Sequence, residues 1–169
     1  MLQSTTDLEL ISRNQREEFN AFCDSCNLVG KVSADHLGLK CDSALQYETR
    51  RNVFEFDSRF VYQSIISKRR ISIIGLTQGL PTVVGDLNFL ELSDQKPDGT
   101  QKDVVDHLEI VPTSISYDEL VSIITEKGYT VKETIKPHHS TYDIILPSGF
   151  VVKLSREMLV DKIKREELL

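Results

Sequence analysis

The feature that most constrains this 169-residue chain is an internal repeat of predicted elements. Each half reads as one strand, one helix and then three strands, as alternating apolar residues, helix caps and turn residues indicate. Asp35-His36-Leu37 and Asp106-His107-Leu108 both lie in the first predicted strand of their half. Glu91-Leu92-Ser93 and Lys153-Leu154-Ser155 both end the fourth strand. Short matches in register with a repeated order of elements predict a duplicated structural unit.

Local signals give the element boundaries. Capping boxes that begin at Ser43 and Ser116 predict one helix in each half, and the second of these ends at Gly128. A third capping box, at Thr6, opens a predicted helix over 7–26, and Ser155 is predicted to cap a C-terminal helix. Alternation predicts strands over 34–41, 60–66, 71–76, 82–92, 103–111, 129–135, 141–146 and 149–154. The predicted fold class is α+β, with two βαβββ modules.

The length is typical of one domain, which we expect to span residues 1–169. The only polar segment without periodicity, around Pro97 and Gly99, is predicted to link the two modules. The predicted divisions are an N-terminal helix over 1–30, a first module over 31–93, a linker over 94–102, a second module over 103–155 and a C-terminal helix over 156–169.

Composition excludes several classes of protein. The net charge of −6 is opposite to that expected of a protein that binds nucleic acid. No apolar run is long enough to span a membrane, and the first ten residues contain acids but no basic residue, unlike a signal peptide. Three cysteines do not indicate a disulfide framework. We therefore expect a cytoplasmic protein that binds neither nucleic acid nor membrane.

The repeat resembles a known superfamily. Paired βαβββ modules with metal ligands on the first and fourth strands are the pattern of the vicinal oxygen chelate superfamily, which includes glyoxalase I and extradiol dioxygenases. Segments 34–41, 89–92 and 106–111 are similar to the corresponding segments of its YecM family. The resemblance runs from about Cys23 to the C-terminal helix. It implies curved mixed sheets around a shared cleft, which a monomer or a homodimer could form.

The resemblance also implies a metal site. Alternation along the strands would place His36, His107 and Glu109 on one face and, against the helices on the other, the aliphatic residues Leu37, Leu39, Leu108 and Ile110. Packing of the modules as in the superfamily would bring His36, Glu91 and His107 into one cleft. Two imidazoles and one carboxylate suit a divalent metal such as Fe, Mn, Zn or Ni. The alternative is that both histidines are hydrogen-bonded in a core and that the glutamate is solvated.

Lys153 and Glu109 are the predicted catalytic residues. Lys153 stands where the repeat places the partner of Glu91, and where many superfamily members supply a second carboxylate. It could bind an anionic group of the ligand or act as a base. Glu109 shares the face of His107 and could be a general base or a partner of a metal ligand. A structural Glu91–Lys153 ion pair without any metal is the competing interpretation.

The leading functional hypothesis is a small metalloenzyme, an isomerase, lyase or dioxygenase, that acts on a small, anionic, oxygen-bearing molecule. The alternative is a metal-free module that binds a small molecule and keeps the Glu91–Lys153 pair in its cleft. His138 and His139 follow a proline in a turn, and we expect a surface pair rather than a site. Cys23 and Cys26 have the C-x-x-C spacing but continue the apolar stripe of a helix, which favours core packing.

Overall fold

The computed structural model describes residues 5–135 and 140–167. Its helices are α1 (Thr5–Ile11), α2 (Arg13–Ser25), α3 (Ala44–Phe56), α4 (Tyr117–Glu126) and α5 (Leu159–Glu167). Its strands are β1 (Val32–Lys40), β2 (Ser58–Ile66), β3 (Arg69–Leu80), β4 (Leu87–Ser93), β5 (Val104–Pro112), β6 (Val131–Thr134), β7 (Thr141–Ile145) and β8 (Val151–Leu154).

The strands form one eight-stranded mixed sheet in the order β2-β3-β4-β1-β5-β8-β7-β6. In each half the first strand pairs in parallel with the fourth, β1 with β4 and β5 with β8. The two first strands then pair antiparallel at the centre of the sheet. The α+β fold with two βαβββ modules is therefore confirmed, and the modules join through β1 and β5 into a single sheet.

The two faces of the sheet carry different helices. Leu37, Leu39, Leu108 and Ile110 are buried in one large cluster that also contains apolar residues of α1 to α4. This confirms the face that strand alternation predicts for these four residues. On the opposite face, Val160 of α5 packs with Ile71, Ile73 and the neighbouring aromatic residues of β2 and β4. The N-terminal helices therefore lie on the face opposite α5.

Helix caps separate the correct local predictions from an incorrect one. The Ser43 hydroxyl accepts a hydrogen bond from the Gln46 amide at 3.2 Å, and Ser116 accepts one from the Glu119 amide at 3.1 Å. Both capping predictions are confirmed. The prediction that Ser155 caps the last helix is wrong, because α5 begins at Leu159. The Ser155 hydroxyl donates instead to the carboxylate of Glu109.

Other boundaries differ from the predictions as well, among them those of one helix and one strand. The helix expected over 7–26 is divided at Ser12, whose hydroxyl donates to the Leu8 carbonyl at 2.7 Å and accepts from Arg16 Nε at 3.2 Å. Side-chain bonds of this kind bend and interrupt helices. The strand expected over 82–92 begins only at Leu87. The residues before it turn through Gly85, whose φ of +108° suits a glycine.

Candidate metal centre

Each Asp-His dipeptide of the repeat lies at an irregularity in the pairing of the two central strands. One extra residue in β1 leaves Asp35 and His36 together opposite Glu109. A second extra residue, Asp106, is inserted in β5 beside His107. Such bulges redirect side chains, and in a regular strand consecutive side chains point to opposite faces. The bulges therefore explain how each aspartate reaches the imidazole of the residue that follows it.

The two aspartates fix the orientation of the histidine rings. His36 Nδ1 lies 3.2 Å from Asp35 Oδ2, and His107 Nδ1 lies 2.9 Å from Asp106 Oδ2. Because an ionised carboxylate only accepts, each Nδ1 must carry the proton, and the Nε2 of a neutral ring keeps its lone pair. Asp35 Oδ2 also accepts from the backbone amide of Leu159 at 2.9 Å, which ties the start of α5 to this arrangement. Carboxylates hold metal-binding histidines in this way.

The structure brings the three predicted ligands together. His36, Glu91 and His107 each offer one ligand atom, and these atoms lie within 4.8 Å of one another. His36 Nε2 is 3.8 Å from Glu91 Oε2 and 3.9 Å from Glu109 Oε2. His36 Nε2 is buried and has no hydrogen-bond partner among residues 5–135 and 140–167. Asp35, His36 and Glu109 form a second group of the same compactness, in which Asp35 was not a predicted ligand.

Gly38 makes room for one of the imidazoles. It is in register with Glu91 on one side and with His107 on the other. A Cβ at this position would lie 2.3 Å from His107 Cε1, so that no other residue fits without moving the ring. The sequence interpretation missed this role. The available signal was a glycine inside a strand, which often marks a close approach.

Glu109 and Lys153 lie side by side across β5 and β8. The side chain of Glu109 is only 1% exposed, whereas that of Glu91 is 24% exposed. Within the described part of the chain, no ion pair shorter than 4.0 Å joins Glu91 to Lys153. The structure therefore does not support the metal-free alternative, which depends on that pair.

The sequence matches the profile of the protein family described as "YecM protein" over residues 13–162. This chain belongs to the YecM family. A search of proteins with curated functions returned no match.

Solved structures show that the fold of this YecM-family chain is the vicinal oxygen chelate fold. A structural genomics target titled Protein EC4020 has a TM-score of 0.70 and 17% identity, covering 94% of this chain and 92% of that one. Hydroxyglutarate synthase from Oryza sativa, in complex with 2-oxoadipate, has a TM-score of 0.57 and 9% identity over 94% and 83%. Methylmalonyl-CoA epimerase from Streptomyces coelicolor, in complex with 2-nitronate-propionyl-CoA, has a TM-score of 0.50 and 16% identity over 77% and 97%.

The two histidines of the YecM-family site have opposite electrostatic surroundings. Burial lowers the pKa of His36, but the carboxylates of Glu109, Asp35 and Glu91 outweigh it and raise that pKa to about 9. Burial, followed by the positive charge of Lys153, lowers the pKa of His107 below its ordinary value. With a pKa of about 9, the His36 imidazole is protonated at neutral pH in the absence of a metal, so a metal ion would have to displace its Nε2 proton. The charge of Lys153 instead favours the neutral form of His107.

Charged groups of both modules affect the pKa of Glu91. Burial alone would raise the pKa of its carboxyl group, but the charges of His107, His36 and Lys153 hold that pKa below its ordinary value. The carboxylate is therefore ionised at neutral pH, as a metal ligand must be.

A cleft of about 580 Å³ opens over these residues, and its lining includes Glu91, His107, Glu109 and Lys153. Three further cationic side chains also line it: Lys40, Arg69 and Lys96. Lys40 is paired with Asp106 at 2.5 Å, and Arg69 donates to Gln101. A cleft of this size, lined by these cations and by the carboxylates of Glu91, Asp98 and Glu109, suits a small molecule with polar groups.

The remaining predictions concern residues outside the cleft. Cys23 and Cys26 are buried in the large apolar cluster that contains residues of α1 to α4, which confirms the prediction of core packing. His138 and His139 lie outside the described residues. Over residues 5–135 and 140–167, no helix combines the length and the apolar character needed to cross a membrane.

Proposed function

We propose that this chain is a metalloenzyme of the vicinal oxygen chelate type, with His36, Glu91 and His107 as ligands of a divalent ion. Its substrate would be a small, anionic molecule with an oxygen that can reach the ion. Lys153 and Glu109 would act on that substrate from the neighbouring strands.

The observation that supports this proposal most strongly is the environment of His36 Nε2. This atom is buried, has no hydrogen-bond partner among the described residues, and faces carboxylate oxygens at 3.8 and 3.9 Å. These distances are too long for hydrogen bonds, and a buried polar atom without a partner costs about 1–3 kcal/mol. Two ligands that each lie ~2.1 Å from one ion are separated by at most ~4.2 Å, and the 3.8 Å between His36 Nε2 and Glu91 Oε2 lies within that limit.

The donor set also fits the chemistry expected of the group. Two imidazoles and one carboxylate leave coordination positions open, and they suit Fe, Mn, Zn or Ni in the divalent state. When bound, such an ion would act as a Lewis acid toward a substrate oxygen. Asp35 and Asp106 would keep both Nε2 atoms directed at it, because they hold the Nδ1 protons.

The residues of the second module supply the acid–base chemistry. Ser155 donates to the carboxylate of Glu109, and this carboxylate would accept a proton from the substrate carbon next to the polarised substrate oxygen. Lys153, in register with Glu109, would bind the anionic group and orient that carbon. A base beside a cation favours an isomerase or a lyase over a dioxygenase.

Metal analysis of protein purified without chelators tests the proposal. We expect about one divalent ion per chain, and its loss in His36→Ala, Glu91→Gln and His107→Ala. Glu133→Gln, an exposed change on β6, is the control that should retain the ion. Full metal content in all three ligand variants would overturn the proposal, as would its absence from the wild-type protein after reconstitution with Mn, Fe, Ni or Zn.

A further inference from the structure

The cleft of about 580 Å³ is called the basic cleft here, because Lys40, Arg69, Lys96 and Lys153 line it. A second cavity meets it at the candidate metal centre. It has a volume of about 270 Å³ and lies between α5 and the strands β2 and β3. The two cavities share Glu91, Ile66 and Ile71 in their linings. Glu91 therefore lies where the basic cleft and the second cavity join.

The second cavity, which we name the α5 groove, is lined by a cluster of aliphatic side chains and also by the charged side chains of Lys162, Glu166 and Glu167 on α5. Ile71 and Ile73 of β3 are almost fully buried beside it, and Leu159 and Ile163 of α5 line it from the other side. Two further aliphatic residues of its lining are solvent-exposed: Ile65 is 66% exposed, and Ile66, which the cleft shares, is 40% exposed. Exposed apolar side chains beside a groove are typical of a surface that a ligand covers.

Two hydrogen bonds hold the helical wall of the α5 groove in place. The Leu159 amide donates to Asp35 at the start of α5, at 2.9 Å. The Tyr62 hydroxyl donates to Glu167 at its end, at 2.8 Å. Because both ends of the helix are attached, the groove is a formed feature of the fold. A cavity of ~150 Å³ can hold benzene, so this groove can hold an aryl group or a short alkyl chain.

We infer that the substrate is an amphiphilic acid, with its anionic group in the basic cleft beside Lys153 and its apolar group in the α5 groove. This inference rests on the proposed function, because it places the reacting oxygen between the two groups, at Glu91. Lys153 has no ion-pair partner within 4.0 Å among the described residues, so its charge is available to the acid group. The α5 groove continues from the cleft beyond Glu91 and would hold the apolar group of the same molecule.

A matched set of three probes tests this assignment. 2-Hydroxyoctanoate has both groups, lactate has the same acid head without the chain, and 1,2-octanediol has the chain without the acid. Dissociation constants would be measured by isothermal titration calorimetry on the full chain, with and without Mn(II). We expect 2-hydroxyoctanoate to bind at least tenfold more tightly than either of the others, because lactate lacks the chain that the α5 groove would bury and 1,2-octanediol lacks the acid group that Lys153 would bind.

Variants assign each part of the probe to its compartment. Ile163→Asp should reduce the affinity for 2-hydroxyoctanoate to that for lactate, and Lys153→Met should weaken both acids about tenfold without affecting the diol. Ile65→Asp, at an exposed position, provides a groove variant that does not endanger folding. Ile145→Asp is its control, since Ile145 lies on β7 and is 65% exposed.

Equal affinities for 2-hydroxyoctanoate and lactate would overturn the inference, as would wild-type binding by both groove variants. The groove variants should also keep the metal content of the wild type. If the affinity order holds without any bound Mn(II), the proposed metal function fails while the amphiphilic-acid site stands. If Mn(II) binds but the affinity order is absent, only the amphiphilic-acid site fails.

Discussion

The two βαβββ modules have the same strand order and the same Asp-His bulge, yet equivalent positions carry different chemistry. Gly38 is in register with Glu91 in the first module, and Glu109 is in register with Lys153 in the second. Equivalent positions of the two modules therefore differ. Gly38 of the first module corresponds to Glu109 of the second, and Glu91 corresponds to Lys153.

This difference shows how a duplicated fold acquires one asymmetric site. The histidines and their aspartates are common to both halves and would form a symmetric frame for the proposed ion. The four differing positions then divide the work, since Glu91 completes the proposed ligand set and Gly38 leaves space for the His107 ring. The second module would provide the proposed base, Glu109, and the proposed anion-binding group, Lys153. The opposite pKa shifts of His36 and His107 follow from the same asymmetry.

The largest effect is expected from Gly38→Ala, because the added methyl group would fill the space that the His107 ring occupies. A Cβ would lie 2.3 Å from that ring. Overpacking of this kind costs about 1–3 kcal/mol, and we expect metal affinity to fall more than 100-fold. Chemical denaturation and a competition titration with a metal indicator measure the two effects. Gly75→Ala, where the Cβ would meet Phe60 at 3.0 Å, should destabilise the protein but retain the ion.

The shared frame is tested by Asp35→Asn and Asp106→Asn. Loss of such a partner of a metal-binding histidine weakens metal affinity about 10- to 100-fold. We expect the larger loss for Asp35, because its side chain is 1% exposed and also accepts from the Leu159 amide, whereas that of Asp106 is 22% exposed. Identical affinities in both variants and the wild type, by the same indicator titration, would show that the aspartates do not position the rings.

Lys153→Glu makes the second module resemble the first. An added carboxylate and a removed cation should raise metal affinity about tenfold and reduce the affinity for 2-hydroxyoctanoate by a similar factor. Lys132→Glu makes the same charge change at an exposed position of β6 and should affect neither. Unchanged binding of both metal and acid in Lys153→Glu would contradict the asymmetric division of roles.

The smallest effect is expected from Tyr62→Phe, which removes the bond between β2 and Glu167 at the end of α5. Because the bond is exposed, the free energy of unfolding should fall by less than about 1 kcal/mol. Metal affinity should not change, since the attachment at Asp35 remains. A tenfold loss of metal affinity would mean that α5 positions His36 along its whole length.

The fold was largely predictable because its signals are local. Capping at Ser43 and Ser116, and the alternation through Leu37, Leu39, Leu108 and Ile110, depend on neighbouring residues and were correctly interpreted. Ser155 was misassigned because its hydrogen-bond partner, Glu109, lies 46 residues away in sequence. A hydroxyl that has a buried partner from another strand cannot be recognised from the residues beside it.

The site was predictable only in part. His36, Glu91 and His107 were predicted to meet through the repeat and the family resemblance, and the structure brings one ligand atom of each within 4.8 Å of the others. The roles of Asp35 and Asp106 were missed, since strict alternation puts adjacent residues on opposite faces and a bulge leaves no local signal. The repeated Asp-His dipeptide was the one sequence feature that pointed to them.

X-ray crystallography of the zinc-loaded protein tests the central claim most directly, with anomalous data collected at the zinc edge. The account predicts a single strong peak at about 2.0–2.2 Å from His36 Nε2, His107 and the Glu91 carboxylate. A fully loaded protein whose ion lies elsewhere, with no peak at these three residues, would contradict it.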